Sequence, residues 1–201
     1  MDPDLALLRR LADDLDSAFA DLVTAHQDRL YTIALRQLGD TRDAEEVAQD
    51  ALVRSYRAMA AYDRERIRAL QLRPWLASIV VNLSRNRRRR PQDRRPPVQL
   101  EPIVAIGTEP AAPDDRGTPH ERAARRETIR ALATALLAVP PGPRAALILR
   151  HVDGLSVAEA AVALNRPEGT IKAQVSRGLA QLRTRLAEDP EFAPAREERT
   201  A

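Results

Sequence analysis

Three carboxylates, Asp43, Glu46 and Asp50, recur at intervals of three and four residues, with Glu45 and Gln49 beside them. On a helix that spacing makes one acidic stripe. Paired carboxylates can do acid–base or metal-assisted work. No histidine, cysteine or phosphate-cradling glycine loop accompanies these, so a solvated face or a protein-docking surface is the better-supported use, and a metal-dependent hydrolase built on Asp43 and Glu46 is the weakest reading. A second group, Asn82, Arg85, Asn86 and Arg89, follows a segment bearing Tyr56, Tyr62 and Trp75. Basic residues among aromatics suit single-stranded nucleic acid, in which bases stack on rings and arginine meets phosphate. The competing reading makes Trp75 core and the arginine run a solvated helix end. A third group lies in Gly169 to Arg177. With Ile171, Val175, Gly178 and Leu182 turned inward, Thr170, Ala173, Ser176 and Arg177 face outward, flanked by Lys172 and Gln174. Gly169, near the start, permits close backbone approach to a phosphate.

All three groups require helices to hold them. Phe19, Leu22, Val23, His26, Leu30, Ile33 and Ala34 predict one long helix from near Asp16 to Leu38, stopped by Gly39. A partner begins at Asp40 or Thr41, with Asp43, Glu45 and Glu46 complementing its dipole and Val47, Ala48, Ala51, Ser55 and Met59 turned inward. Pro74 opens a third helix, which buries Trp75, Leu76, Ile79, Val80 and Leu83 and ends in Arg87 to Arg90. Between the last two, Asp63 to Gln71 reads as a loop without an aromatic. Thr118-Pro119-His120-Glu121 combines a capping box with a first-turn proline, and its helix runs to about Val139. Pro140, Pro141 and Pro143 break that helix, and a short apolar helix from Arg144 to His151 follows. Asp153-Gly154 is a turn. Ser156 to Glu159 is a second capping box, for a helix reaching Leu164, and Glu168 to Leu186 is the last helix. The final two have the spacing of a helix-turn-helix, whose second member enters the major groove. Against an ordinary helical hairpin stand the cap, the turn at Asn165 to Pro167 and the basic residues.

The expected fold is therefore all-α, with two small helical domains at 1–90 and 119–189, a flexible Pro-rich linker at 91–118 and a tail at 190–201. Seven of the 15 prolines fall between Pro91 and Pro119. The linker has a random-coil span of roughly 30 Å and could reach about 87 Å extended. Charge is as uneven as the prolines: residues 1–50 carry 12 acidic and 5 basic side chains, residues 51–95 carry 13 basic and 3 acidic. The basic block suits a polyanion and the acidic block a cationic protein surface. Arginine abundance alone counts for little, because 31 of the 32 basic residues are Arg and only Lys172 is Lys. Cysteine is absent, and His26, His120 and His151 share no ligand spacing, so no metal site, cofactor or catalytic group is expected. The apolar runs are too short to span a bilayer, and no secretory signal is visible. A cytoplasmic location without membrane insertion is the expectation.

The run Asp40 to Asp50, then Arg73-Pro74-Trp75-Leu76 with Asn82, resembles region two of the extracytoplasmic-function sigma factors of bacterial RNA polymerase. Asp153-Gly154-Leu155-Ser156, followed by Pro167 to Lys172 and Arg177, is similar to their region four. The match spans both modules in family order. The resemblance implies a factor without chemistry of its own that binds core RNA polymerase through Asp43, Glu45, Glu46, Gln49 and Asp50. It implies that Asn82, Arg85, Asn86 and Arg89 meet unpaired bases of the downstream (minus 10) element. Gly169, Thr170, Lys172, Ala173, Ser176 and Arg177 would meet the duplex upstream (minus 35) element. The two elements lie on the order of 50 to 70 Å apart along promoter DNA. An anti-sigma protein that silences the factor is a further implied partner. This sequence departs from many relatives at Ala173, Gln174 and Ser176, so the promoter sequence does not follow from it. The rival function is a free-standing helix-turn-helix regulator that binds duplex DNA without polymerase.

Overall fold

In the computed structural model, residues 3–89 and 118–188 are described, and every regular element among them is a helix. Residues 90–117 and 189–201, which hold nearly all of the expected linker and the tail, lie outside the described residues.

The first unit has five helices: α1 (Pro3–Asp13), α2 (Leu15–Leu38), α3 (Thr41–Ala60), α4 (Arg64–Arg68) and α5 (Leu72–Arg89). Each long boundary has a chemical cause. Asp14 caps α2 by accepting from the Ser17 amide at 3.1 Å, and Asp40 caps α3 by accepting from the Asp43 amide at 2.8 Å. Gly39 ends α2 in the left-handed conformation (φ 77) and donates its amide to the Leu35 carbonyl. The inward stripes meet as the periodicity predicts. Leu22, Leu30, Ile33 and Ala34 of α2, Val47, Ala51 and Met59 of α3, and Leu76, Ala77 and Val80 of α5 are all buried. Each large apolar side chain so enclosed contributes roughly 1.5–3 kcal/mol. Two helices are additions to the sequence reading. α1 buries Leu7, Leu8, Leu11 and Ala12, while α4, a single short turn capped by Asp63, stands where a loop was expected.

The second unit comprises α6 (Pro119–Ala138), α7 (Pro141–Leu147), a π-helical turn (Ile148–Val152), α8 (Val157–Leu164) and α9 (Glu168–Ala187). Both expected capping boxes are present, Thr118 with Glu121 and Ser156 with Glu159. The prolines after Val139 both break α6 and build the first turn of α7, which starts at Pro141 and not at Arg144. A first-turn residue needs no amide donor, so proline fits there. α9 presses so closely on α7 that a Cβ at Gly178 would fall 2.8 Å from Leu147 Cδ1 and 3.3 Å from the Pro143 carbonyl.

The two units pack directly on each other. α8 lies against α5, while α2 meets α6, α7 and the π turn. At one end a Cβ on Gly39 would fall 2.4 Å from Leu137 Cδ1 of α6, so the αL cap of α2 is also a seat for the second unit. His26 is buried near the other end, 3.5 Å from Asp4, and neither of its ring nitrogens has a hydrogen-bond partner. Burial holds its pKa below the ordinary 6.5, opposed in part by Asp4. The unfolded chain therefore binds the proton more readily, so the stability contributed by neutral His26 is present above about pH 6.5 and is lost as pH falls toward the depressed folded value. The melting temperature of the natural protein should drop more between pH 7.5 and 5.5 than that of His26→Leu, with calorimetry at both pH values as the check.

Candidate nucleic-acid interface

On α5 the four expected residues Asn82, Arg85, Asn86 and Arg89 are all exposed, and their spacing sets them along one face. The two arginines between them do something else. Arg87 places Nη2 2.7 Å from Asp43 Oδ1 and 2.9 Å from Glu46 Oε2, tying α5 to α3. Arg88 donates to the Gln37 carbonyl at the C-terminal end of α2, at 3.5 Å. The aromatics beside this face are partly packed. Tyr62 and Trp75 lie 6.3 Å apart with planes tilted by 56°, and the Arg66 guanidinium sits 3.8 Å over the Tyr62 ring. Trp75 is half-buried against the core, which favours packing as its main role.

The acidic stripe divides in two. Asp43 and Glu46 are engaged by Arg87, and Arg42 adds an i,i+4 pair to Glu46 at 3.4 Å. That use of the two carboxylates is structural and differs from the metal-hydrolase reading. Glu45, Gln49 and Asp50 remain exposed. Gln49 also lines a shallow apolar groove with Phe19, Val23, Leu52, Val53 and Tyr56. Phe19 and Tyr56 meet edge to face at 5.1 Å, and the Tyr56 hydroxyl donates to Asp16 at 2.5 Å. Periodicity marked this stripe but could not show that an arginine 44 residues away would claim half of it.

α8 and α9 make the helix-turn-helix. Asn165 ends α8 in the left-handed region (φ 49), a conformation asparagine tolerates, and Pro167 starts α9 without a side-chain cap. The first amides of α9 are therefore not claimed by a capping side chain, and they carry the positive end of the dipole. Gly169, Lys172, Ala173, Ser176 and Arg177 are exposed and Thr170 is half-buried. Arg177 lies back along the helix, donating Nε–H to the Ala173 carbonyl at 3.2 Å. Gln174 is half-buried toward Gly142 of α7, so its side chain packs between α9 and α7.

A helix-turn-helix in one unit and an exposed basic helix face in the other, in described residues that are all helical in their regular elements, are features of a DNA-binding protein. The family model "Sigma-70 region 2" matches residues 22–95 and "Sigma-70, region 4" matches residues 129–182. The ECF RNA polymerase sigma factor SigW of Bacillus subtilis is 32% identical over 174 residues, covering 84% of this chain and 89% of that protein. The RNA polymerase sigma-H factor of Pseudomonas aeruginosa is 29% identical over 179 residues, covering 87% and 89%. CnrH, solved in complex with the cytosolic domain of CnrY, matches with a TM-score of 0.67 at 25% identity, covering 94% of this chain and 99% of that one. The sigma factor RpoE of Bartonella quintana, solved with the anti-sigma factor NepR, shares the fold with a TM-score of 0.59 at 24% identity. The chain belongs to the extracytoplasmic-function sigma factors, which direct RNA polymerase in transcription initiation. Among the described residues no helix is long and apolar enough to cross a membrane.

The Arg87 bridge has a measurable role. Arg87→Met should leave Asp43 and Glu46 repelling each other and lower stability by about 1 kcal/mol. That corresponds to a melting shift of about 2–4 °C. The loss should shrink in high salt, which thermal melts at two ionic strengths would read.

Proposed function

We propose that the chain docks on core RNA polymerase through the exposed half of its acidic face, Glu45, Gln49 and Asp50, with the neighbouring apolar groove. Asp43 and Glu46 contribute to that face mainly by holding α3 to α5. Asn82, Arg85, Asn86 and Arg89 then meet the unpaired strand of the minus 10 element, while Gly169, Thr170, Lys172, Ala173, Ser176 and Arg177 meet the minus 35 duplex. The factor works in the cytoplasm, performs no chemistry itself, and is silenced by an anti-sigma protein. The domains that divide these tasks are 1–90 and 119–189, joined by the linker at 91–118. One observation carries this reading. A single chain presents an exposed face of arginines and asparagines on α5 and a largely exposed face on α9, the second helix of a helix-turn-helix, with an anionic edge on the same unit as the first.

The chemistry of each face follows from its groups. An anionic patch steers and orients a cationic partner. Exposed arginines and asparagines on α5 offer charge for phosphate and amides for the edges of splayed bases. On α9, the helix end suits a phosphate, and Arg177 can bridge guanine O6 and N7 in a bidentate fork.

Run-off transcription with purified core polymerase on promoter fragments tests the whole reading, since a free-standing DNA binder would yield no polymerase-dependent product. Replacing Glu45 and Asp50 by Lys should weaken core binding by at least about tenfold without changing helicity, measured by titration of labelled factor. Arg177→Ala should cost about 1 to 3 kcal/mol on the minus 35 element and relax preference at one position. Lys172→Ala should weaken all sequences evenly and lower the salt slope by roughly one. Binding titrations on element variants at two salt concentrations separate the two effects.

A further inference from the structure

Two buried arginines of this fold offer the same edge of the guanidinium, and only one of the two edges is filled. Arg29 of α2 meets the Asp153 carboxylate through Nε and Nη2, at 2.5 Å to Oδ1 and 2.6 Å to Oδ2. The Asp153 side chain is only 1% exposed, and Arg73 at the start of α5 donates to its backbone carbonyl at 2.7 Å. Arg144 of α7 is as deeply buried, at 1% exposed. It gives Nη1 to the Gln37 carbonyl at 3.2 Å, while Nε, on the edge that Arg29 uses, is buried without a partner. Arg88 Nη1 approaches the same Gln37 oxygen at 3.5 Å. Gln37 Nε2 and Ser84 Oγ are buried and unpartnered as well, and Ser84 lies one turn before Arg88 on the same face of α5. Every one of these orphans has a hydrogen to give. Among the described residues neither Arg88 nor Arg144 has a carboxylate partner. Burial and the Arg88 charge together bring the Arg144 pKa down to about 10.

We propose that Arg144, Arg88 and Gln37 form a binding site for a phosphate-class oxyanion, either inorganic phosphate or the terminal phosphoryl group of a nucleotide, seated on the free edge of Arg144. Charge selects this class. The two guanidinium charges, reduced by about 0.5 at the C-terminal end of α2, leave roughly +1.5 at the site. A phosphoryl group carries about −1.5 to −2 at neutral pH and presents three strong acceptor oxygens. Water would supply an acceptor without the charge, and a buried guanidinium stays unfavourable until it is paired. A planar N–H fork matches phosphate as the Arg29 fork matches a carboxylate. None of the three residues is among those assigned above to polymerase or promoter, so the site stands independently of the proposed function. Because Arg88 belongs to the first unit and Arg144 to the second, the site is complete only while the two are packed, and its ligand stabilises the folded chain by mass action.

Thermal melts of the full chain in inorganic phosphate, with chloride exchanged to hold ionic strength fixed, test the site. Above the dissociation constant the melting temperature should climb by roughly 3–6 °C for each tenfold rise in phosphate. Arg88→Gln, at an exposed position, should weaken phosphate binding by about tenfold or more and leave helicity unchanged. Arg144→Met should abolish the phosphate response and yet melt no lower than the natural protein in phosphate-free buffer, because an apolar side chain then replaces an unpaired buried cation. A residue needed only for packing would give the reverse, a lower melting temperature with the phosphate response retained. Should Arg144→Met fail to fold, Arg88→Gln carries the test alone. Calorimetric titrations with phosphate and with ATP distinguish the sources: tighter binding of ATP assigns the site to a nucleotide, and equal or tighter binding of phosphate assigns it to the free ion. A melting temperature that phosphate moves no further than chloride does, or an undiminished phosphate response in Arg88→Gln, would overturn the site.

Discussion

A carboxylate removed from water must be answered by cations, and Asp153 finds its own in Arg29, contributed by the other half of the molecule, with Arg73 on its backbone. Their positions follow from that demand. Arg29 must leave the polar side of α2 toward the second unit, and Arg73 must stand at the very start of α5. Asp153 must come out of the π turn facing both. α8 follows Asp153 by three residues, and its placement against α5 is thereby set. The apolar contacts along the junction supply area, but area has no direction. The fork at Asp153 supplies register.

The arginine run that ends α5 shows why charge counted along a chain differs from charge presented to a partner. Arg85 and Arg89 reach solvent, Arg87 is consumed by two carboxylates, and Arg88 turns to a helix end. Four cations in five residues thus serve three different purposes within little more than one turn. The acidic stripe on α3 is divided by the same stroke, because the residues that neutralise Arg87 are the ones nearest α5. What remains outside is an anionic edge beside an apolar groove, a combination suited to a protein surface.

Helix identity and inward stripes were legible in the sequence because they depend on neighbours three and four residues away. The α2 and α3 stripes, both capping boxes and the turn at Gly154 are all of this kind. α1 carried the same signal in Leu7, Leu8, Leu11 and Ala12 without being read. α4 is too short to show a period. The junction was invisible for a stronger reason: the partners of Asp153 and Arg144 lie more than 70 residues away in sequence, and nothing local distinguishes an arginine that will cap another unit's helix from one that will meet phosphate. Prolines at 140–143 misled because proline is a helix breaker in the interior and a helix starter in the first turn. Among the candidate site residues, the outward placement of the α9 and α5 faces needed only periodicity. The split of the acidic stripe needed the fold.

The π turn at Ile148–Val152 has a bearing on how such chains can diverge. It holds one residue more than the α-helical turn it interrupts, and each residue of a helix adds about 100° of rotation. Deleting a single residue there would leave both helical units chemically whole, with their recognition faces unaltered, yet would swing Asp153 to a different azimuth and unseat it from Arg29. Lineages could therefore gain or lose a coupled arrangement of the two units through one in-frame codon deletion, without any change to the surfaces that meet polymerase or promoter.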